Sequence, residues 1–133
     1  MLYVAGFMYS EDHTEVALIH KVKPPWQKGK LNGIGGKMEL GETPLVAMIR
    51  EFKEETGFHT HKWRFFCELS GKWGAVNFFS TVGDLTQLKT MEEEEVGIYK
   101  VADIPNLNTI PNLRWLVPMG IDKDEVRGYI KEP

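Results

Sequence analysis

The stretch Gly35–Phe58, GGKMELGETPLVAMIREFKEETGF, decides the fold. Thr43 suits a helix N-cap and Pro44 the first helical position. Gly57 stands where a C-terminal glycine ends a helix. Leu45, Met48, Ile49 and Phe52 recur at offsets of three and four and form the expected buried stripe. Glu51, Glu54 and Glu55 fall on another side of that helix, within an arc of roughly 100°. Like charges so spaced repel by roughly 0.2–0.5 kcal/mol per pair. Glu54 and Glu55 also occupy the last turn, at the negative end of the helix dipole. The ordinary alternative is a solvated acidic face. A divalent cation would relieve both strains, because Mg²⁺ takes carboxylate and phosphate oxygens and keeps several waters. Glycines beside such a site let backbone approach a ligand closely.

The rest of the chain fits one globular domain, residues 1–133. Apolar residues make up 42% and charged residues 26%, which excludes a disordered or fibrous chain. A net charge of −3 argues against a non-specific nucleic-acid partner, which would show a basic stripe. The single cysteine, Cys67, excludes an internal disulfide and suits a reducing compartment. The N-terminal segment lacks a basic leader, and its apolar run is too short to cross a bilayer. A soluble, cytoplasmic protein without membrane contact is the expectation, as a monomer or homodimer.

Strand-like runs are LYVAGFMY, EVALIHKV, WRFFCEL, AVNFFSTV and EVGIYKV, with SEDHT and SGKWG as turns. KPPWQKGK and ADIPNLNTIPN read as loops, and LRWLVPMG as a short second helix. Strands and helices that do not alternate strictly predict an α+β or mixed α/β sandwich.

Gly36, five residues, Glu42, seven residues and then REFKEETGF resembles the Nudix box over residues 36–58. Phe52 and Phe58 take its bulky apolar positions. The resemblance implies an α/β/α sandwich with a central mixed sheet. It also implies Mg²⁺- or Mn²⁺-dependent hydrolysis of a nucleoside diphosphate linked to another group. Glu51, Glu54 and Glu55 would then hold metal, with the Gly36 carbonyl as a further ligand. Arg50 would orient Glu54, although a purely structural pair fits equally. Glu42 would orient the loop or bind metal through water, Gly57 would shape the site, and Lys37 is a substrate-binding candidate. From the run Glu92–Glu95, either a solvated surface or one further ligand or base is expected, Glu93 first, with Glu92 or Glu94 next.

LNGIGGKMELGET and IPNLRWLVP resemble the base-reading segments of MutT-like hydrolases of oxidised purine nucleoside triphosphates. The positions concerned are Asn32 and Asn112. A side-chain amide offers both donor and acceptor to a base edge. The alternative for each is a turn or a cap. Where the animal-type enzymes carry a stacking Trp, this chain has Ile110, which leaves Trp26, Trp73, Phe78 or Tyr3 as stacking candidates. The expected substrate is a nucleoside triphosphate cleaved to monophosphate and pyrophosphate. The alternatives are nucleotide sugars, dinucleoside polyphosphates, an RNA 5′ end, or nucleotide sensing without cleavage.

Overall fold

The first two strands are apolar along nearly their whole length, the pattern of strands covered on both faces. The computed structural model, which describes residues 1–133, places β1 (Leu2–Tyr9) and β2 (Glu15–His20) inside one mixed sheet. Successive side chains of β1 enter opposite cores. Ala5, Phe7 and Tyr9 pack on one face with Leu113, Leu116 and Val117 of helix α2 (Leu113–Gly120). Val4 and Met8 pack on the other with Ala47, Met48 and Phe52 of helix α1 (Pro44–Thr56). The architecture is therefore the expected α/β/α sandwich.

The remaining strands are β3 (Leu31–Asn32), β4 (Ile34–Lys37), β5 (Arg64–Gly71), β6 (Gly74–Val82), β7 (Glu95–Lys100) and β8 (Gly128–Lys131). Their order is β3-β2-β1-β6-β5-β8, with β4 on β1 and β7 on β2. The pairs β1–β6 and β5–β8 are parallel and the others antiparallel. One edge of β1 is shared: β2 takes Met8 and Tyr9, and β4 takes Tyr3–Gly6. The chain changes partners at Gly33, between Asn32 on β2 and Ile34 on β1.

Three details differ from expectation. Ala47 is fully buried, whereas Leu45 is 39% exposed. α1 packs on β1 and on the glycine strand β4, so its covered face is rolled toward the glutamates. The segment Val101–Asn106, expected as a loop, forms a 3₁₀ helix. β8 was not anticipated, because a four-residue edge strand after a charged turn has too little periodicity to register.

The seat of α1 depends on Gly6, where a Cβ would lie 2.7 Å from Met48 Cε and 2.8 Å from the Trp63 ring. Phe52 meets Trp63 edge-on beside it, with ring centroids 4.9 Å apart. Gly6→Val should lower unfolding free energy by about 1–3 kcal/mol through overpacking. Urea unfolding measures it, and a wild-type midpoint would contradict this packing.

Candidate active site

α1 begins with Thr43 Oγ1 accepting the Val46 N–H at 3.2 Å and ends at Gly57 in the left-handed region (φ 77°). Its last carbonyls are also covered from outside. Lys89 N–H donates to Thr56 O at 3.0 Å and Met91 N–H to Glu55 O at 3.1 Å. These two bonds fasten the acidic loop to the end of the helix that carries the glutamates.

Arg50 organises the carboxylates. It binds Glu42 bidentately, Nε to Oε2 at 2.6 Å and Nη2 to Oε1 at 2.8 Å. Nη1 donates to Glu51 Oε1 at 2.9 Å and to Glu54 Oε2 at 3.2 Å, and Nη2 to Lys37 O at 3.1 Å. The expected Arg50–Glu54 pair is present, but Glu42 is the principal partner. The hydrogen bond from Arg50, with the Glu39 N–H, holds the Glu42 carboxyl down to about 2.

Glu51 lies directly over Gly36, where a Cβ would stand 2.6 Å from Oε2. A side chain at position 36 would displace the carboxylate that Arg50 holds there. Burial pushes the Glu51 carboxyl upward against the opposing effect of Arg50. Glu55 has no such cation. Its Oε2 is buried without a partner, and its carboxyl is pushed up to about 7, first by burial, then by Glu51, Glu94 and Glu92.

Arg50 holds Glu51 and Glu54, and no three His, Cys, Asp or Glu side chains gather on one point. The donor set nonetheless suits a hard divalent cation. Glu55 Oε2 is an orphaned buried oxygen, Glu51 Oε2 lies over the Gly36 backbone, and both carboxyls are strained toward protonation. Glu51 and Glu55 would hold the ion, with Glu54 and the Gly36 carbonyl nearby.

In the acidic run the side chain turned inward is Glu94, one place after the Glu93 expected first as a ligand or base. Glu92 and Glu93 are exposed, whereas Glu94 is buried. Glu94 accepts Lys21 Nζ at 2.8 Å, Val22 N–H at 2.7 Å and Lys23 N–H at 3.4 Å. Burial opposes its charge, but these donors outweigh burial and lower its pKa. Glu92 and Glu94, not Glu93, act on Glu55. In a run of four identical residues, one register step decides which side chain turns inward.

Beside β4 lies a cavity of about 600 Å³. Asn32, Asn112, Lys37 and Gly36 all line it, so sequence-distant candidates meet in one place. Ile110 N–H donates to Leu31 O at 3.0 Å and Leu31 N–H to Asn108 O at 2.9 Å, which draws the Asn112 segment alongside β3. Asn112 makes no side-chain cap bond, and its Oδ1 is buried without a partner. Asn32 Oδ1 accepts the Gly33 N–H at 2.7 Å, and its Nδ2 donates to Gln27 Oε1 at 3.1 Å. Tyr3, Trp26, Trp73 and Phe78 also line the cavity, with Ile110. Sequence reasoning missed Gln27 and Lys21, which lie in an aperiodic turn and at a strand end and carry no spacing signal.

The raised Glu55 carboxyl has a consequence for stability. Between pH 4.5, its ordinary value, and about 7, the folded chain holds a proton that the unfolded chain has released. Metal-free stability should therefore fall as pH rises through that window, and Glu55→Gln should flatten the slope. Glu42, held low, acts oppositely and loses its contribution below pH 4.5. Mg²⁺ should restore stability near pH 8 in wild type more than in Glu55→Gln. Thermal melts across pH, with EDTA or Mg²⁺, read both effects; identical profiles in the two proteins would contradict the assignment.

Comparison with known proteins agrees with this geometry. The NUDIX domain model matches residues 1–116. The 8-oxo-dGTP diphosphatase of Escherichia coli (strain K12) is 31% identical over 68 residues, 51% of this chain and 53% of that protein. The chain thus spans about half the length of this curated relative. A solved structure from work on MutT of Aliivibrio salmonicida and Vibrio cholerae superposes with a TM-score of 0.73 at 25% identity, over 90% of this chain and 94% of the other. The NUDIX domain of Shewanella oneidensis NrtR, solved with ADP ribose, matches at TM-score 0.75 and 15% identity, over 88% and 83% of the two chains. With a helix of box glutamates gathered about Arg50, a glycine strand beneath them and the family model covering most of its length, this chain belongs to the NUDIX domain family.

Proposed function

We propose that this protein is a divalent-metal-dependent pyrophosphohydrolase that cleaves a purine nucleoside triphosphate, oxidised purines included, to the monophosphate and pyrophosphate. One observation carries the reading: Gly36 lies under the Glu51 carboxylate and also lines the cavity shared by Asn32 and Asn112. A base bound between the two amides would direct its phosphates along β4 toward the glutamates. The relative named as an 8-oxo-dGTP diphosphatase supports this substrate class.

A bound divalent ion supplies charge neutralisation at the phosphates and a more acidic water. The chain's own residues do the rest. Glu51 and Glu55 would hold the ion, while Arg50 fixes Glu51 and Glu54 in direction and Glu42 fixes Arg50. Lys37 lines the cavity, and its ammonium would meet a phosphate oxygen. Burial and the neighbouring carboxylates leave Glu55 short of a partner, so it gains most from holding the ion. Phosphoryl transfer requires chiefly this positioning and charge stabilisation. Asn112 Oδ1, buried and unpaired, regains a hydrogen bond when a base N–H reaches it.

Glu51→Gln and Glu55→Gln should each lower kcat by about two orders of magnitude, or about 2.7 kcal/mol of barrier. Glu94→Gln should impair turnover and lower stability, because three donors lose their charged acceptor, whereas Glu93→Gln should change neither. Kinetics on ordinary and oxidised (d)NTPs, nucleotide sugars and dinucleoside polyphosphates test the reading. Full activity in EDTA would refute the metal-dependent mechanism. A nucleotide sugar outpacing every triphosphate would move the chain to another branch of the family.

A further inference from the structure

Asn32 is the better hydrogen-bonded of the two amides lining the cavity, and its partners, Gln27 and Gly33, lie outside the Nudix box. A backbone N–H can only donate, so the Gly33 contact at 2.7 Å fixes which end of the Asn32 amide is oxygen. Its nitrogen must then point at Gln27, and the 3.1 Å contact fixes the Gln27 oxygen in turn. The polarity runs from the Gly33 N–H through Asn32 to Gln27 and ends on the Gln27 NH₂ group. That group has no protein partner, and it is not sealed from solvent, while Gln27 lines the cavity. The wall on this side is therefore a row of donors, the second Asn32 N–H followed by Gln27 Nε2. The Asn112 wall carries the opposite need, a buried Oδ1 without a donor.

We propose that Gln27 is a specificity-determining residue, which braces Asn32 in the polarity set by the Gly33 N–H and presents its own N–H groups so that the cavity favours 6-oxopurines over 6-aminopurines. The inference rests on the purine triphosphate reading above. A 6-oxopurine offers the O6 acceptor to the donor row, with N7 as a second acceptor where C8 is not oxidised, and ring and exocyclic N–H groups to Asn112. A 6-aminopurine sets an N–H₂ against the donor row, and the mismatch leaves buried groups unpaired.

The test compares kcat and KM for dGTP and dATP in wild type, Gln27→Leu and Gln27→Glu. Calorimetric binding of a non-hydrolysable dGTP analogue and thermal melts accompany it. Wild type should favour dGTP by about tenfold or more in kcat/KM, and Gln27→Leu should remove about tenfold of that ratio, mostly in KM and in analogue affinity. Gln27→Glu keeps an acceptor for Asn32 but has no N–H, so it should lose the dGTP preference while melting like wild type. Gln27→Glu decides alone if Gln27→Leu does not fold. A wild-type dGTP preference that survives in both variants overturns the role of Gln27 and leaves the proposed function standing. A wild type that prefers dATP overturns the donor-row argument. A wild type that treats bases alike, or cleaves no triphosphate, overturns the base-reading function as well.

Discussion

The geometry of this protein depends on one guanidinium surrounded by carboxylates. Glu51, Glu54 and Glu42 are mutually repulsive, yet all three bind Arg50, which also donates to a β4 carbonyl at Lys37. Only a planar group with five donors can serve so many acceptors at once; a lysine ammonium is a point charge with three. The Lys37 contact adds more than charge balance, because it ties the helix to the glycine strand. Glu55 is the one carboxylate left out. It is half-buried beside Glu51 with no ion-pair partner, and the pull of Lys21 is outweighed by burial and the neighbouring carboxylates. The fold neutralises most of the cluster and leaves one group unsatisfied, as expected where local stability is given up for chemistry.

The loops around the cavity depend on that helix. The Lys89 and Met91 amides cap the carbonyls of Thr56 and Glu55, so the acidic loop cannot leave without uncovering the end of α1. Thr90 Oγ1 accepts the Val96 N–H at 2.9 Å and closes the same loop at its far side. Glu94 then reaches across to Lys21, Val22 and Lys23, where the turn carrying Trp26 and Gln27 begins. Both Glu94 oxygens are occupied, so in this arrangement it acts as a clamp between two loops and, through its charge, as a neighbour of Glu55. The acidic loop and the cavity wall are thus parts of one hydrogen-bonded unit.

Much of this was legible in the sequence, for physical reasons. Helix α1 carries its own start and stop signals, and the box spacing places its glutamates. The apolar runs of β1 and β2 announce strands covered on both faces. What was not legible depends on close approach or on a single register step. The burial of Ala47 in place of Leu45 follows from how near α1 comes to β4, which no periodicity encodes. Glu94 rather than Glu93 turns inward because of where β7 begins, and element boundaries are where sequence signals are weakest. Gln27 matters through a contact five residues along an aperiodic turn, invisible until the turn is folded.

Ile110 and the aromatic side chains that line the cavity divide between the core and the surface. Ile110 is buried and takes part in the core beneath the cavity, so it closes the floor without offering a ring. Phe78 is committed as well, stacked on Phe7 at 6.0 Å with planes 10° apart. Tyr3 and Trp73 lean on each other at 6.4 Å and form a wall on the β6 side. Trp26 alone has no aromatic partner and is 61% exposed, on the same turn as Gln27. An indole face free of the core, beside an amide of fixed polarity, would let one short segment both stack on a base and hydrogen-bond it. That segment begins at the Glu94 clamp. The same contacts that steady the acidic loop against α1 therefore also set where the exposed ring stands over the cavity.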